Sequence, residues 1–163
     1  MADCQHLWAT DYRWWKHHNF VPDFKGQKWT QNVQWPDDTP PEKHGIRCLR
    51  AETSAGGLST DPDVIHTGRN SGYAAINLAY HLGAERILLL GYDLKMRGND
   101  RHWFGAHPKG MEVQSDYALF ASQFRTIIPS QYGLEIWNVT RDTALACFPR
   151  YDLDDVVKHT AQV

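Results

Sequence analysis

The sequence predicts an α/β fold, and three observations carry that prediction. Ser71–Leu82 sets Ala75, Ile76, Ala79 and Leu82 on one helical face. A few residues later comes Arg86–Gly91 (RILLLG), continuous and apolar without alternation. That is the pattern of a strand covered on both faces, as in a parallel sheet. A second helix-to-strand pair follows at Ser115–Ile128 and Gly133–Val139. A helix returning at once into a strand is half of a βαβ unit, so a Rossmann-like three-layer sandwich with a mostly parallel sheet is expected.

Taken in chain order, His6–Thr10 (HLWAT) and Gly45–Leu49 (GIRCL) read as short strands, and Tyr12–His18 begins a helix. Gln34–Lys43 (QWPDDTPPEK) carries three prolines and reads as a surface loop. Asn70 or Ser71 suits the cap of the central helix, and Gly83 suits the left-handed residue that ends it. Arg97–Lys109 is a long loop after the RILLL strand. In Ser115–Ile128, Tyr117, Phe120, Ala121 and Phe124 share a helical face. In Gly133–Val139, Leu134, Ile136 and Asn138 alternate as in a strand, and Leu153–Lys158 makes one short helix. There is no internal repeat and no low-complexity stretch.

The chain has 163 residues, a size at which one domain with a sizeable core is the default, so a single domain over 1–163 is expected. Seventeen Lys and Arg against nineteen Asp and Glu give a net charge of −2, which argues against duplex nucleic acid as the main partner. No apolar run approaches the roughly 20 residues a membrane span needs, and MADCQHLW has no basic start or apolar stretch of a signal peptide. Cys4, Cys48 and Cys147 are odd in number, far apart and without C-x-x-C spacing. A reducing cytoplasm is therefore the expected location, with no zinc cluster and no disulfide frame.

Four stretches carry candidate chemistry. His66–Gly72 (HTGRNSG) precedes the central helix. Gly68 and Gly72 would let backbone approach a ligand, Arg69 adds positive charge, and the helix start favours a phosphate. Equally, Asn70 and Ser71 could simply cap the helix while the glycines turn the chain. There is neither a G-x-G-x-x-G nor a P-loop signature. Gly91-Tyr92-Asp93 stands at the carboxyl end of RILLL, where open α/β sheets bind ligands. Asp93 could accept from a ribose hydroxyl, hold a metal, or cap a turn. The loop Arg97–Lys109 offers His102 and His107. They fit a metal pair with Asp93, Asp100 or Asp116 as third ligand, or one general base and one structural histidine. Asp11–Trp15 (DYRWW) and Lys28–Gln31 (KWTQ) offer Asp11 and tryptophans for a sugar or base, or for packing. The other histidines, His6, His17, His18, His44, His81 and His159, share no spacing and read as surface or packing residues.

The run SGYAAINLAYHLGAERILLLGYD, followed by HWFGAHP, resembles small phage-encoded proteins of a Rossmann-like group. That group includes bacterial sialyltransferases and archaeal hydroxymethylpterin pyrophosphokinase-like proteins. The phage likeness spans about residues 5–155, taking in DYRWW, GLSTDP, HTGRNSG and TRDTALACFPR; the sialyltransferase likeness spans about 65–140. It implies nucleotide contacts for Asn70, Ser71 and Gly72. It implies a general base at His107, the second histidine of an H-x-x-G-H stretch here lengthened by Ala106. Where those sialyltransferases carry tyrosines after G-x-D, this chain has Leu94, Lys95 and Met96, so Lys95 or Arg97 would have to supply the charge. The family also opens with a strand and an Asn/Gly-rich nucleotide loop ahead of the HLWATD segment, for which MADCQ offers no counterpart.

The expectation is thus a nucleotide-dependent transferase of glycosyltransferase-like type in the cytoplasm, that of the host if phage-encoded. Its catalytic residues would be His107, His102 and Asp93, and Gly68, Arg69, Asn70, Ser71, Gly72 and Asp11 would bind a nucleotide or sugar nucleotide. The alternatives are a metal-assisted phosphoryl transferase or hydrolase using Asp93, His102 and His107, and a non-enzymatic nucleotide-binding or assembly module. An open sheet edge would invite pairing into a homo-oligomer.

Overall fold

The computed structural model describes residues 4–32, 35–96, 111 and 115–160. Strand β1 (His6–Trp8) leads into helix α1 (Tyr12–His17), then β2 (Gln27–Gln31), β3 (Ile46–Glu52) and β4 (Val64–His66). Helix α2 (Ser71–His81) precedes β5 (Arg86–Leu89), α3 (Tyr117–Phe124), β6 (Glu135–Asn138) and α4 (Leu153–Thr160). β1 to β4 lie side by side in sequence order, every neighbour parallel. β5 and β6 form a second parallel pair, continued by a parallel bridge between Asn138 and Arg150. The fold is α/β and Rossmann-like, as the helix-to-strand returns predict.

Helix α2 serves both sheets. Ala74 and Leu78, four residues apart, pack with Trp29, Leu49 and Ile65 of the four-stranded sheet. Tyr73 and Ile76 point to the other core, with Leu89, Ile136 and Phe124. One helix can divide its faces this way because the residues on successive turns fall in separate stripes. Asn70 is its cap, with backbone in the extended region and Oδ1 accepting from Gly72 N at 2.8 Å and Tyr73 N at 3.1 Å. Gly83 follows its end in the left-handed region, as expected.

Two strands escape the sequence pattern. β2 (QKWTQ) has one large apolar residue, Trp29, and is buried because β1 and β3 flank it on both edges. β4 (VIH) is three residues long, too short for a period to register. KWTQ is a packing segment: Trp29 is core, and Lys28 Nζ donates to the carbonyls of Phe20 at 3.0 Å and His44 at 2.8 Å. Those bonds hold the exit from α1, where Asn19, Phe20 and Val21 all have positive φ. In DYRWW, Trp15 is completely buried, with Nε1 donating to Ala9 O at 3.0 Å.

One expectation is corrected. RILLLG is covered on a single face among the described residues. Ile87 and Leu89 turn toward α2 and α3, whereas Leu88 is 41% and Leu90 66% exposed. On that outer face Arg86 lies 4.2 Å from the ring centroid of Trp137, which packs on Tyr151 at 4.5 Å. The second helix is also shorter than its periodicity suggests. Asp116 caps it at Leu119 N (2.9 Å), and it ends at Phe124, five residues before Pro129 opens a 3₁₀ turn. No helix among the described residues is long and apolar enough to cross a membrane.

Candidate functional site

Parallel strands bring their carboxyl ends to one edge of a sheet, and that edge is where α/β proteins gather ligand-binding groups. Three such ends are tied together here. After β1, Thr10 Oγ1 lies 3.0 Å from Ser71 Oγ, so the first strand touches the start of α2 across 61 residues of sequence. After β4, Thr67–Asn70 turns into α2, with Asn70 N donating to Thr67 O and Arg69 N to Thr67 Oγ1. After β5, the Tyr92 hydroxyl donates to Gly72 O at 3.0 Å. Burial pushes the Tyr92 phenol up to about 12, so it stays a hydrogen-bond donor throughout the physiological range.

The two glycines of HTGRNSG have packing reasons. Gly68 has φ +49°, and a Cβ there would sit 2.5 Å from the Tyr73 ring. A Cβ on Gly72 would sit 2.8 Å from the Tyr92 ring. Ring packing alone therefore excludes larger residues at both positions. The amides of Gly72 and Tyr73 are taken by the Asn70 carboxamide, so an anion reaches them by displacing that side chain. Arg69, itself at positive φ (58°), is exposed, and its guanidinium has no ion-pair partner among the described residues. The polar groups around this turn are thus Arg69 and the paired hydroxyls of Ser71 and Thr10.

Asp11 caps α1, accepting from Arg13 N at 2.8 Å, and pairs with the Arg13 guanidinium at 2.6 Å. It is committed to that turn and to Arg13, which limits it as an acceptor for a ribose. Asp93 follows Tyr92 directly. Its carbonyl accepts from Ala144 N at 2.8 Å, and Thr143 Oγ1 donates to Tyr92 O at 2.6 Å. These bonds fasten the end of β5 to the loop after β6. Lys95 forms an ion pair with Asp142, which spends the charge that a leaving phosphate would need from it.

His102, His107, Asp100 and Arg97 lie outside the described residues. Asp116, weighed as a metal ligand, is the cap of α3. Among the described residues no three His, Cys, Asp or Glu side chains gather closely enough to hold a metal ion. Cys4, Cys48 and Cys147 are free thiols. Burial pushes Cys48 up to about 11, leaving it protonated and unreactive at neutral pH. Several histidines have structural partners. His81 Nε2 lies 2.8 Å from Val64 O, His6 Nδ1 accepts from Trp29 Nε1 at 3.2 Å, and His44 stacks on Phe20 at 3.5 Å.

Sequence reasoning missed Thr10, the partner of Ser71, and the role of Tyr92. A hydroxyl two residues past a strand and a tyrosine ahead of Asp93 are visible signals, yet neither names its partner 61 or 20 residues away. No family model, curated protein or solved structure matches the chain.

Proposed function

We propose that the chain is a nucleotide-dependent transferase of glycosyltransferase-like type. The observation that carries this reading is the joining of three strand ends at one lip by the Thr10–Ser71 and Tyr92–Gly72 hydrogen bonds. In this reading the donor phosphate rests on Arg69, Ser71 and Thr10. Asp93 positions the ribose or the acceptor. As the acceptor oxygen bonds to the donor's anomeric carbon, the bond from that carbon to the phosphate oxygen breaks, the nucleotide phosphate leaves, and His107 takes the acceptor hydroxyl proton, a role drawn from the sequence alone. A general base of this kind contributes about 10²–10⁴-fold in rate.

The test is a thermal-shift screen of nucleotides and sugar nucleotides, with and without divalent metal, followed by turnover assays with whichever donor stabilises the protein. Arg69→Ala should remove the shift, whereas His107→Ala should keep it and lose most turnover. A wild-type protein stabilised by no nucleotide, or an Arg69→Ala variant shifted as strongly as wild type, would sink the reading. Stabilisation without turnover against any acceptor would favour a binding module, and activity that vanishes with chelator would favour the metal-assisted reaction.

A further inference from the structure

A concavity lies at the end of β6, and Thr140 on its wall accepts from Tyr92 N at 3.0 Å. Residues 149–151 run alongside β6 as a short parallel extension. Asn138 N donates to Pro149 O at 2.8 Å, and Tyr151 N donates to Asn138 O at 3.2 Å. The chain leaving β6 and the chain leaving this extension diverge, and a cleft of about 300 Å³ opens between them. Val139 and Thr140 line it on one side of the sequence, Tyr151 and Leu153 on the other. A volume of this size falls at the small end of ligand pockets.

Its charge is unusual. Arg141 and Arg150 both line the cleft. The Arg150 guanidinium is anchored by Nη2 donating to Arg141 O at 2.8 Å, so the two arginines are held as neighbours. Neither has a carboxylate within ion-pair distance among the described residues. Asp152, the acidic lining residue, uses Oδ1 to accept from Asp154 N at 2.8 Å. An anion in the cleft would meet the anchored Arg150 guanidinium together with Arg141, which lines the same cleft, and the planar fork of arginine suits the oxygens of a phosphate. Beside them Tyr151, packed on Trp137 and 47% exposed, offers a flat ring to a sugar-sized body.

We propose that this cleft binds a phosphate monoester of sugar-phosphate size, with Arg141 and Arg150 on the phosphate and Tyr151 against the carbon skeleton. The inference is independent of the nucleotide reading, since it uses none of the residues at the start of α2. The experiment is a titration of the full chain with a hexose 6-phosphate, monitored by amide chemical shifts and by calorimetry, beside the same hexose without phosphate. Sub-millimolar binding of the monoester is expected, with shifts confined to residues 139–153 and no binding of the neutral sugar. Arg141→Ala removes one guanidinium while keeping the carbonyl that anchors Arg150. It should weaken binding at least about tenfold, whereas Arg69→Ala should leave it unchanged. Monoester binding no tighter than that of the neutral hexose would overturn the proposal. So would wild-type affinity in both Arg141→Ala and Arg150→Ala.

Discussion

Replacing Tyr92 by Phe isolates the bond that ties the end of β5 to the start of α2. The hydroxyl donates to Gly72 O at 3.0 Å, and a hydrogen bond of this kind is worth about 1 kcal/mol net. At about pH 8 the variant should therefore be less stable than wild type by roughly that amount. The difference carries its own pH signature. Burial raises the folded-state phenol from 10.0 to about 12. Between those values the unfolded chain has released its proton while the folded chain keeps it, so wild-type stability falls as pH rises. Full stabilisation holds below about pH 10, and by about pH 11 wild type has lost about 1.4 kcal/mol that the Phe variant, with no proton there to lose, retains. The two stability curves should cross just below about pH 11. Urea unfolding of both proteins from about pH 8 to pH 11 measures the gap directly, because every other titrating group is common to the two and cancels. A gap that stays constant across that range would refute the buried-phenol account of the lip.

Two further substitutions probe the backbone around the same edge. Asn70→Ala removes the side chain that accepts from Gly72 N and Tyr73 N, and chemical denaturation should show a loss of about 1 kcal/mol, within a range of about 0.5–2. Lys28→Met keeps the aliphatic stem but deletes the ammonium bonded to Phe20 O and His44 O. It should cost about 2–4 kcal/mol, because two half-buried carbonyls lose a charged donor while Asn19–Val21 stay in the left-handed region; an unchanged unfolding midpoint would show that the Lys28 ammonium holds nothing in place.

Much of the fold was legible because its signals are local. Asn70 before an amphipathic run and Gly83 after it bracket α2 within one residue of the observed end. The helix returning into RILLL announces a parallel arrangement. β2 was not legible because its burial comes from neighbours on both edges, which a polar string such as QKWTQ cannot advertise. RILLL misled in the opposite sense. Its continuous apolar character reads as two covered faces, yet Leu88 and Leu90 face outward beside Trp137 and Arg86. For the site, the sequence found HTGRNSG and Asp93 by their places next to a helix start and a strand end. It could not tell that Tyr73 and Tyr92 dictate the two glycines, since those are contacts between rings and backbone brought together by folding. The pairing of Arg141 with Arg150 was equally invisible, because it depends on the extension running beside β6.

The position of α2 has a mechanical consequence. Its Ala74 and Leu78 belong to one core and its Tyr73 and Ile76 to the other. Loosening this helix from one sheet disturbs its packing on the other, so the two sheets, which share no ladder among the described residues, are coupled through it. The molecule is hinged on a single axle: a perturbation that loosens either end of α2 is transmitted to both halves at once, and a ligand clasping its first turn would brace the whole chain.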